Sequence, residues 1–278
     1  MNTQYLKLND GTIAYDDQGQ GSLIICIPAG GDLRSEYRFL TPKLVAAGYR
    51  VVTMDIRGQG ESSTHWSDYS PSAIGSDVIA LIKHLNAGSA TIIGTSAATA
   101  TAIWAAVEEP NLVNRIVLIS AYAHAASPLM SYVLAYSMLA PLWGLPAYIA
   151  YFPKMYPSTH PTDFEEHLAK VKAMLKQPGR MSALRRIFAN AYRDWDERVA
   201  QVRVPVLILM GSLDPDFKQP EQEGRQLADR MKTTSVTLAI IQDAGHHPQA
   251  EMAEQTAEHI LDFLADRQPQ PELLKEMV

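Results

Sequence analysis

The stretch of this 278-residue chain that decides the fold is ATIIGTSAA, residues 90–98. Its first half is a continuous apolar run, typical of a strand buried on both faces of a parallel sheet. Its second half is a Gly-x-Ser-x-Ala motif that leads into small residues of helical character. A serine held in a tight strand-to-helix turn needs small neighbours two positions away, as Gly94 and Ala98 are. The stretch therefore predicts a strand, a turn that exposes Ser96, and a helix. The alternative is Ser96 as the N-cap of an ordinary helix.

The regions around this turn alternate between strand-like and helix-like patterns. Five further apolar runs favour buried strands, and an opening hairpin is predicted over residues 4–16. The predicted strands are 23–28, 50–55, 115–120, 205–211 and 235–241. Segments with a helical pattern follow most of these strands and are predicted as helices: 39–47, 72–85, 97–107, 222–231 and 252–267. This alternation predicts an α/β fold with a mostly parallel, doubly wound sheet.

Residues 122–202 interrupt the alternation, because they contain no convincing strand. Helical patterns occur there over 163–175 and 181–192. An insertion of this length is too long for a simple crossover between strands. We therefore predict a core domain made of 1–121 and 203–278, with 122–202 inserted as a helical lid. The segment after Arg267 is expected to fray.

Composition excludes several classes of protein. The formal net charge is −6 and no basic stripe occurs, so nucleic acid is not an expected partner. The apolar region 129–152 is interrupted by proline and glycine, which argues against stable insertion into a membrane. No phosphate-binding glycine motif or metal-spaced histidine set occurs, so no cofactor and no metal are expected.

The single cysteine points to a buried structural role and a reducing compartment. Cys26 lies inside the apolar run 23–27, where a small core residue is the expected interpretation rather than a nucleophile. One cysteine cannot form an internal disulfide, and the first residues lack the pattern of a signal peptide. A cytoplasmic location is therefore the expectation.

A serine nucleophile needs a base, and the base needs an orienting carboxylate. His246 lies in DAGHHP, residues 243–248, just after a predicted strand. Asp214 lies in GSLDPD, residues 211–216, after the preceding predicted strand. Ligands meet an open α/β sheet at the carboxyl ends of its strands, so the three residues are expected at one edge. Asp216 and His247 remain alternatives for the acid and the base.

These motifs resemble those of the α/β-hydrolase superfamily over nearly the whole chain outside the predicted lid. DIRGQGES at 55–62 is similar to the family's Asp-x-Arg-Gly-x-Gly-x-Ser turn. GSLD at 211–214 and AGH at 244–246 are similar to its acid turn and its base loop. The resemblance implies a catalytic triad of Ser96, Asp214 and His246. The sequence PAGGD at 28–32 stands where the family often has His-Gly. We expect the backbone N–H groups of Gly31 and Ala97 to stabilise an oxyanion.

The function implied is hydrolysis of a carboxylic ester or lactone through an acyl-enzyme on Ser96. Methionine and aromatic residues in the lid favour a small to medium apolar or aromatic substrate, with Met130, Trp143 and Tyr192 as candidate contacts. Cleavage of a C–C bond, or perhydrolase activity, could use the same triad. A receptor or pseudo-enzyme on the same fold is the alternative of another class. The sequence leaves the oligomeric state open, with a homodimer among the candidates.

Overall fold

The computed structural model describes residues 3–265 and contains an eight-stranded sheet. The strands are β1 Gln4–Leu8, β2 Gly11–Gln18, β3 Leu23–Ile27, β4 Arg50–Met54, β5 Ala90–Thr95, β6 Val113–Ile119, β7 Val206–Gly211 and β8 Val236–Ile241. Their order is β1-β2-β4-β3-β5-β6-β7-β8. β1 pairs with β2, and β2 with β4, in antiparallel fashion, whereas all other neighbours are parallel. The predicted α/β class, the opening hairpin and all six predicted strands are confirmed.

Eleven α-helices occur in the described residues. They are α1 Thr41–Ala46, α2 Pro71–Leu85, α3 Ala98–Glu108, α4 Pro128–Met138, α5 Gly144–Tyr151, α6 Phe164–Leu175, α7 Arg180–Asn190, α8 Trp195–Val199, α9 Pro220–Arg230, α10 Pro248–Glu251 and α11 Ala253–Leu264. The helices predicted after the strands are present with shifted ends. The predicted frayed tail after Arg267 lies outside the described residues. Across residues 3–265, no helix combines the length and apolar character that spanning a bilayer requires.

The sheet separates two apolar layers, because successive side chains of a strand point to opposite faces. In β3, Ile25 and Ile27 belong to the layer that also contains residues of α2 and α3. Ile24 and Cys26 belong to the opposite layer, with residues of α1 and α11. Strands covered on both sides must be apolar throughout, which is why these runs do not alternate with polar residues. Cys26 is fully buried and unpaired, as expected for a core residue.

Five of the helices, α4 to α8, lie between β6 and β7 and are called here the helical insertion, residues 122–202. The insertion carries an apolar cluster built mainly from its own residues, including Phe152 and Val171. It is joined to the rest of the chain by ion pairs. Arg38 donates two hydrogen bonds of 2.6 Å to the Asp163 carboxylate. His167 Nε2 lies 2.7 Å from Asp32 Oδ1, and both side chains are buried.

Candidate active site

Ser96 occupies a strained turn between β5 and α3. Its φ is +55°, a left-handed conformation that costs a residue with a side chain on the order of 1 kcal/mol or more. The turn is held because the Ser96 N–H donates to Ile119 O at 2.9 Å and Ser96 O accepts the Thr99 N–H at 2.9 Å. A Cβ on Gly94 would lie 2.6 Å from Ala98 O, so this position tolerates only glycine. The small residues of the motif are therefore required by the close packing of the turn.

Two polar groups of this turn, the Ser96 hydroxyl and the Ala97 N–H at the start of α3, have no hydrogen-bond partner in the part of the chain that the structure describes. Free N–H groups at a helix N-terminus attract negative charge, since the helix dipole adds to their own partial charge. The turn thus presents a hydroxyl and an unused donor side by side.

His246 and Asp214 form a buried pair at the same edge of the sheet. His246 Nδ1 lies 2.9 Å from Asp214 Oδ2 and 3.0 Å from Oδ1, and each residue is 2% exposed. A carboxylate only accepts hydrogen bonds, so it fixes the proton on Nδ1 and leaves the lone pair on Nε2. Asp214 lies on the loop after β7, called here the acid loop, and His246 on the loop after β8, called here the base loop. The two loops are joined by the Leu213 N–H, which donates to Ala244 O at 2.9 Å. The predicted acid and base are therefore brought together in the tautomer that a general base needs.

The charges of this pair stabilise each other. Burial alone lowers the pKa of His246, but the negative charge and hydrogen bond of Asp214 outweigh it and raise that pKa to about 9. Burial alone raises the pKa of Asp214, but the charge and hydrogen bond of His246 hold it below its ordinary value. Opposite charges in hydrogen-bond contact favour both ionised forms. The pair is thus able to accept and hold a proton.

Asp216, the alternative acid, has different partners. Its Oδ2 lies 3.7 Å from His246 Nδ1, beyond a hydrogen bond. The Asp216 carboxylate instead accepts a hydrogen bond of 2.9 Å from the Tyr122 hydroxyl, and another from the Tyr151 hydroxyl. Its own N–H donates to Asp214 Oδ1 at 3.0 Å. Asp216 therefore supports the acid loop, while Asp214 contacts the imidazole.

His247, the alternative base, points away from this pair. Its ring stacks on Tyr156, with centroids 5.1 Å apart, and on Phe152, at 6.0 Å. His247 Nδ1 lies 3.7 Å from Glu36 Oε1, and the side chain is 1% exposed. It is consequently a contact between the base loop and the helical insertion.

The glycine loop after β3 lies where a second oxyanion donor is expected. Among the described residues, the N–H groups of Gly30 and Gly31 donate no hydrogen bond, whereas the Ala29 N–H donates to Glu36 Oε2 at 2.7 Å. A Cβ on Gly31 would lie 2.2 Å from the Tyr148 hydroxyl, which itself donates to Gly30 O at 3.0 Å. The loop is thus packed so closely under the insertion that residue 31 must be glycine.

Sequence reasoning missed the buried polar residues that hold this loop. Glu36 is fully buried and connects two parts of the site, because its carboxylate accepts the Ala29 N–H and also the side-chain amide of Gln249. Asp32 is fully buried, and its contact with His167 holds its pKa below the ordinary value although burial opposes this. No local signal identifies them, because Glu36 stands in the polar stretch 34–38 and Asp32 follows a glycine.

Two sets of side chains have the composition of a metal site: Asp32 with Glu36 and His247, and Asp214 with Asp216 and His246. In each set the potential ligand atoms lie within 4.8 Å of one another. Each set is also explained without a metal, because every carboxylate in it accepts a hydrogen bond from a protein donor. The expectation of no metal and no cofactor stays a prediction.

The three predicted substrate contacts occupy different places. Tyr192 packs edge-on against Tyr122, with ring centroids 5.3 Å apart, and Tyr122 in turn binds Asp216 beside the His246 pair. Met130 and Trp143 lie on the outer surface of the insertion, where they are 52% and 53% exposed. No hydrogen bond or ring contact of the described residues links either to His246. Their role in substrate binding stays a prediction.

A strained serine at the end of a central strand, with a buried acid–imidazole pair on the two adjoining loops, defines the class of an α/β hydrolytic enzyme. A family model described as the alpha/beta hydrolase family matches residues 24–259. The chain therefore belongs to the α/β-hydrolase family.

Similar proteins include several hydrolases. The 2-hydroxy-6-oxo-6-phenylhexa-2,4-dienoate hydrolase of Comamonas testosteroni is 25% identical over 278 residues, covering 94% of this chain and 93% of that protein. The 3-oxoadipate enol-lactonase 2 of Acinetobacter baylyi is 28% identical over 178 residues, covering 60% of this chain and 62% of that protein. The curated relatives matched first are covered over only 41% to 62% of their length.

The solved structures agree with the fold. A bromoperoxidase from Bacillus anthracis superposes with a TM-score of 0.80 at 21% identity, covering 95% of this chain and 100% of that one. At this identity the likeness concerns the fold alone. The likeness agrees with the α/β-hydrolase fold of the family to which the chain belongs.

Proposed function

We propose that the chain hydrolyses a carboxylic ester or lactone of a small to medium apolar or aromatic compound, through an acyl-enzyme on Ser96. The observation that carries this proposal is the buried His246–Asp214 pair, at the edge of the sheet where the strained Ser96 turn ends β5. A nucleophile, a base and an orienting acid are the groups that acyl transfer requires. In this proposal Asp216 and His247 have no direct role in proton transfer.

The proposed reaction has two steps. His246 Nε2 takes the Ser96 proton as the oxygen attacks the carbonyl carbon, and the N–H groups of Ala97 and Gly31 stabilise the oxyanion. His246 then gives that proton to the leaving oxygen, which departs as an alcohol, or stays attached if the substrate is a lactone. Water, activated by the same imidazole, attacks the acyl-enzyme and releases the acid. Loss of one oxyanion donor typically costs about 2.7–4 kcal/mol of transition-state stabilisation.

In the same proposal the helical insertion, residues 122–202, acts as a lid that selects the substrate. A cleft of about 210 Å³ lies between α4 and α7, and Tyr132 and Tyr192 contribute to its lining. Tyr192 connects this cleft to Tyr122 and Asp216, next to the catalytic pair. Aromatic linings favour apolar or aromatic substrates. A cytoplasmic location, expected from the single cysteine, belongs to the same proposal.

The experiment that tests the nucleophile is labelling with a fluorophosphonate probe, followed by peptide mass spectrometry. We expect one phosphonylated peptide that carries Ser96, and no labelling in Ser96→Ala. A series of p-nitrophenyl esters of increasing chain length then measures the size of the acyl pocket. Folded protein that resists the probe would contradict the activated serine and favour a receptor on this fold.

Cleavage of a C–C bond is the second candidate function. It is supported by the dienoate hydrolase of Comamonas testosteroni, which aligns over 94% of this chain. The name of that relative describes a carboxylate compound, and the cleft between α4 and α7 contains the cation Arg193. Turnover of such a dienoate with kcat/KM above that of every p-nitrophenyl ester, and loss of the preference in Arg193→Gln, would decide for C–C cleavage.

A further inference from the structure

Helix α4 faces the rest of the chain with its smallest residues. Of its eleven residues, only Ser131 and Ala135 are buried. They are four positions apart, hence on one side of the helix, where α4 packs against α7. The large apolar side chains of the helix point the other way. This is the reverse of an ordinary surface helix, which turns its apolar stripe to the core.

The outer surface of α4 and the loop after it carries a group of exposed apolar residues, called here the α4 patch. Its members are large apolar residues with 39% to 87% of their surface exposed: Leu129, Met130, Tyr132, Val133, Leu134, Tyr136, Met138, Leu142 and Trp143. With about 200 Å² per large side chain and roughly half of it exposed, the patch presents on the order of 900 Å². That area is well above the few hundred Å² found on most monomers and matches one side of a standard protein interface, about 800 Å².

An uncovered α4 is poorly stabilised by the chain itself. A helix of eleven residues is marginal in water unless its apolar face is buried. No Asp, Glu, Lys or Arg occurs between residues 116 and 153, so α4 has no ion pairs along its surface. The Ser127 side chain caps its first turn by accepting the Met130 N–H at 3.3 Å. The stability of α4 would therefore increase if a further surface buried its apolar side chains.

The chemistry of the patch favours a protein surface over a lipid bilayer. Helices that lie in a membrane interface carry Lys and Arg on their polar side, and α4 has neither. The net charge of −6 also opposes approach to an anionic bilayer. Tyr, Trp, Met and Leu without charged residues are instead the composition found at the centre of interfaces between identical chains.

A second copy of this chain matches the patch in its lack of charge and in its apolar composition. Two copies with a net charge of −6 repel each other overall, but the lack of Asp, Glu, Lys and Arg between residues 116 and 153 avoids like-charge contacts at this surface. Tyr132 and Tyr136 stack on one another, with centroids 4.3 Å apart and planes at 25°, so the two rings are held in place on the exposed side of the helix. An uncharged surface of this kind can pair with itself about a two-fold axis. We propose that residues 128–143 form the interface of a homodimer in which α4 packs against α4 of the second copy.

This proposal does not depend on the catalytic one, and it is tested by measuring mass. The wild-type chain and the double variant Met138→Lys/Leu142→Lys are compared by sedimentation equilibrium between 0.1 and 100 μM, ranges chosen to bracket about micromolar affinity. Both replaced residues are exposed, at 61% and 87%, so folding should not suffer. The two lysines change the net charge from −6 to −4, which reduces the general repulsion between copies. Dissociation can therefore be assigned to the patch.

We expect the wild type to sediment as a dimer and the double variant to dimerise at least 100-fold more weakly. The control is Tyr5→Lys, which places one lysine, half the added charge of the double variant, on a half-exposed aromatic residue outside the insertion and should leave the dimer intact. A wild type that is monomeric at 100 μM overturns the proposal, as does a dimer that survives the double variant. Cosedimentation of wild type with phosphatidylcholine vesicles, lost in the double variant, would replace it by a lipid surface.

Discussion

The edge of the sheet at the carboxyl ends of its strands and the outer side of α4 differ in whether the chain itself provides partners for their side chains. At this edge, where β5, β7 and β8 end, the charged side chains have partners within the same chain, as His246 has in Asp214. On α4 the only buried residues are Ser131 and Ala135, and the large apolar side chains face outward. The first region is completed by the chain's own contacts, whereas the second is complete only with another surface. Substitutions in the first region should therefore lower the activity or the stability of a single chain, whereas substitutions of the exposed residues of α4 should leave both nearly unchanged.

The largest expected effect follows from removing the nucleophile. Ser96→Ala should lower kcat for a p-nitrophenyl ester by about 10⁴-fold to 10⁶-fold, because the oxyanion donors alone sustain only a small residual rate. The melting temperature should stay equal to wild type or rise, since alanine fits the same turn. Steady-state kinetics together with thermal unfolding measure both. A variant that keeps more than a tenth of the activity would show that another group attacks the substrate.

The next largest expected effect is the difference in kcat between substitutions of the two candidate acids. Asp214→Asn should lower kcat by about 10⁴-fold, because an amide can stabilise the wrong tautomer of His246 and provides no charge for the imidazolium. Asp216→Asn keeps the hydrogen-bonding shape and lies 3.7 Å from His246 Nδ1, so a loss below about tenfold is expected. Parallel kinetics on the two variants make the comparison. An equal or larger loss in Asp216→Asn would reverse the assignment.

A third effect concerns the stability of the two regions. Ile208 is fully buried in β7, and Ile208→Ala should lower the free energy of unfolding by about 2–5 kcal/mol through lost burial and the cavity left behind. Leu142 in the α4 patch is 87% exposed, and Leu142→Ala should change that free energy by less than about 0.5 kcal/mol. Urea unfolding of both variants at 0.1 μM protein, with the wild type as reference, measures the contrast. Equal losses at both positions would mean that the chain itself buries the α4 patch.

The smallest effect is a shift of pH dependence. The proposed mechanism needs neutral His246, and Asp214 raises the pKa of that imidazole to about 9. Activity of the wild type should therefore increase with pH through a pKa above 6.5, the ordinary value for histidine. Asp214→Asn removes the negative charge, so its residual activity should increase at lower pH than in the wild type. Profiles of kcat/KM between pH 5 and 10 test the direction of the shift. A shift to higher pH would contradict the pair described here.

Much of the sheet edge could be predicted from the sequence because its signals are local. Continuous apolar runs identified the six strands, and Gly94 with Ala98 around Ser96 identified the turn. The family resemblance favours Asp214 over Asp216 as the acid, but the residue types alone do not distinguish them. In the folded chain Asp214 Oδ2 lies 2.9 Å from His246 Nδ1, and Asp216 Oδ2 lies 3.7 Å from it. Two residues of separation along the chain do not predict which carboxylate reaches an imidazole.

The polar residues beneath the insertion were beyond sequence reasoning. Glu36 and Gln249 are 213 positions apart, and Asp32 and His167 are 135 apart, yet each pair is in contact and buried. Each residue alone resembles an ordinary surface residue, since Glu, Gln, Asp and His are mostly exposed in proteins. Their roles follow from long-range contacts that no local pattern encodes.

By itself, the sequence determined the α/β class, the strand order along the chain and the serine turn, because backbone preferences and burial act over a few neighbouring residues. The tertiary structure decided which carboxylate contacts His246, how Glu36 holds the glycine loop, and which side of α4 is exposed. The exposed side of α4 could not be read from the sequence, because apolar residues occur on all sides of this helix. Only the folded structure, in which Ser131 and Ala135 are buried, shows that Leu134 and Met138 face outward.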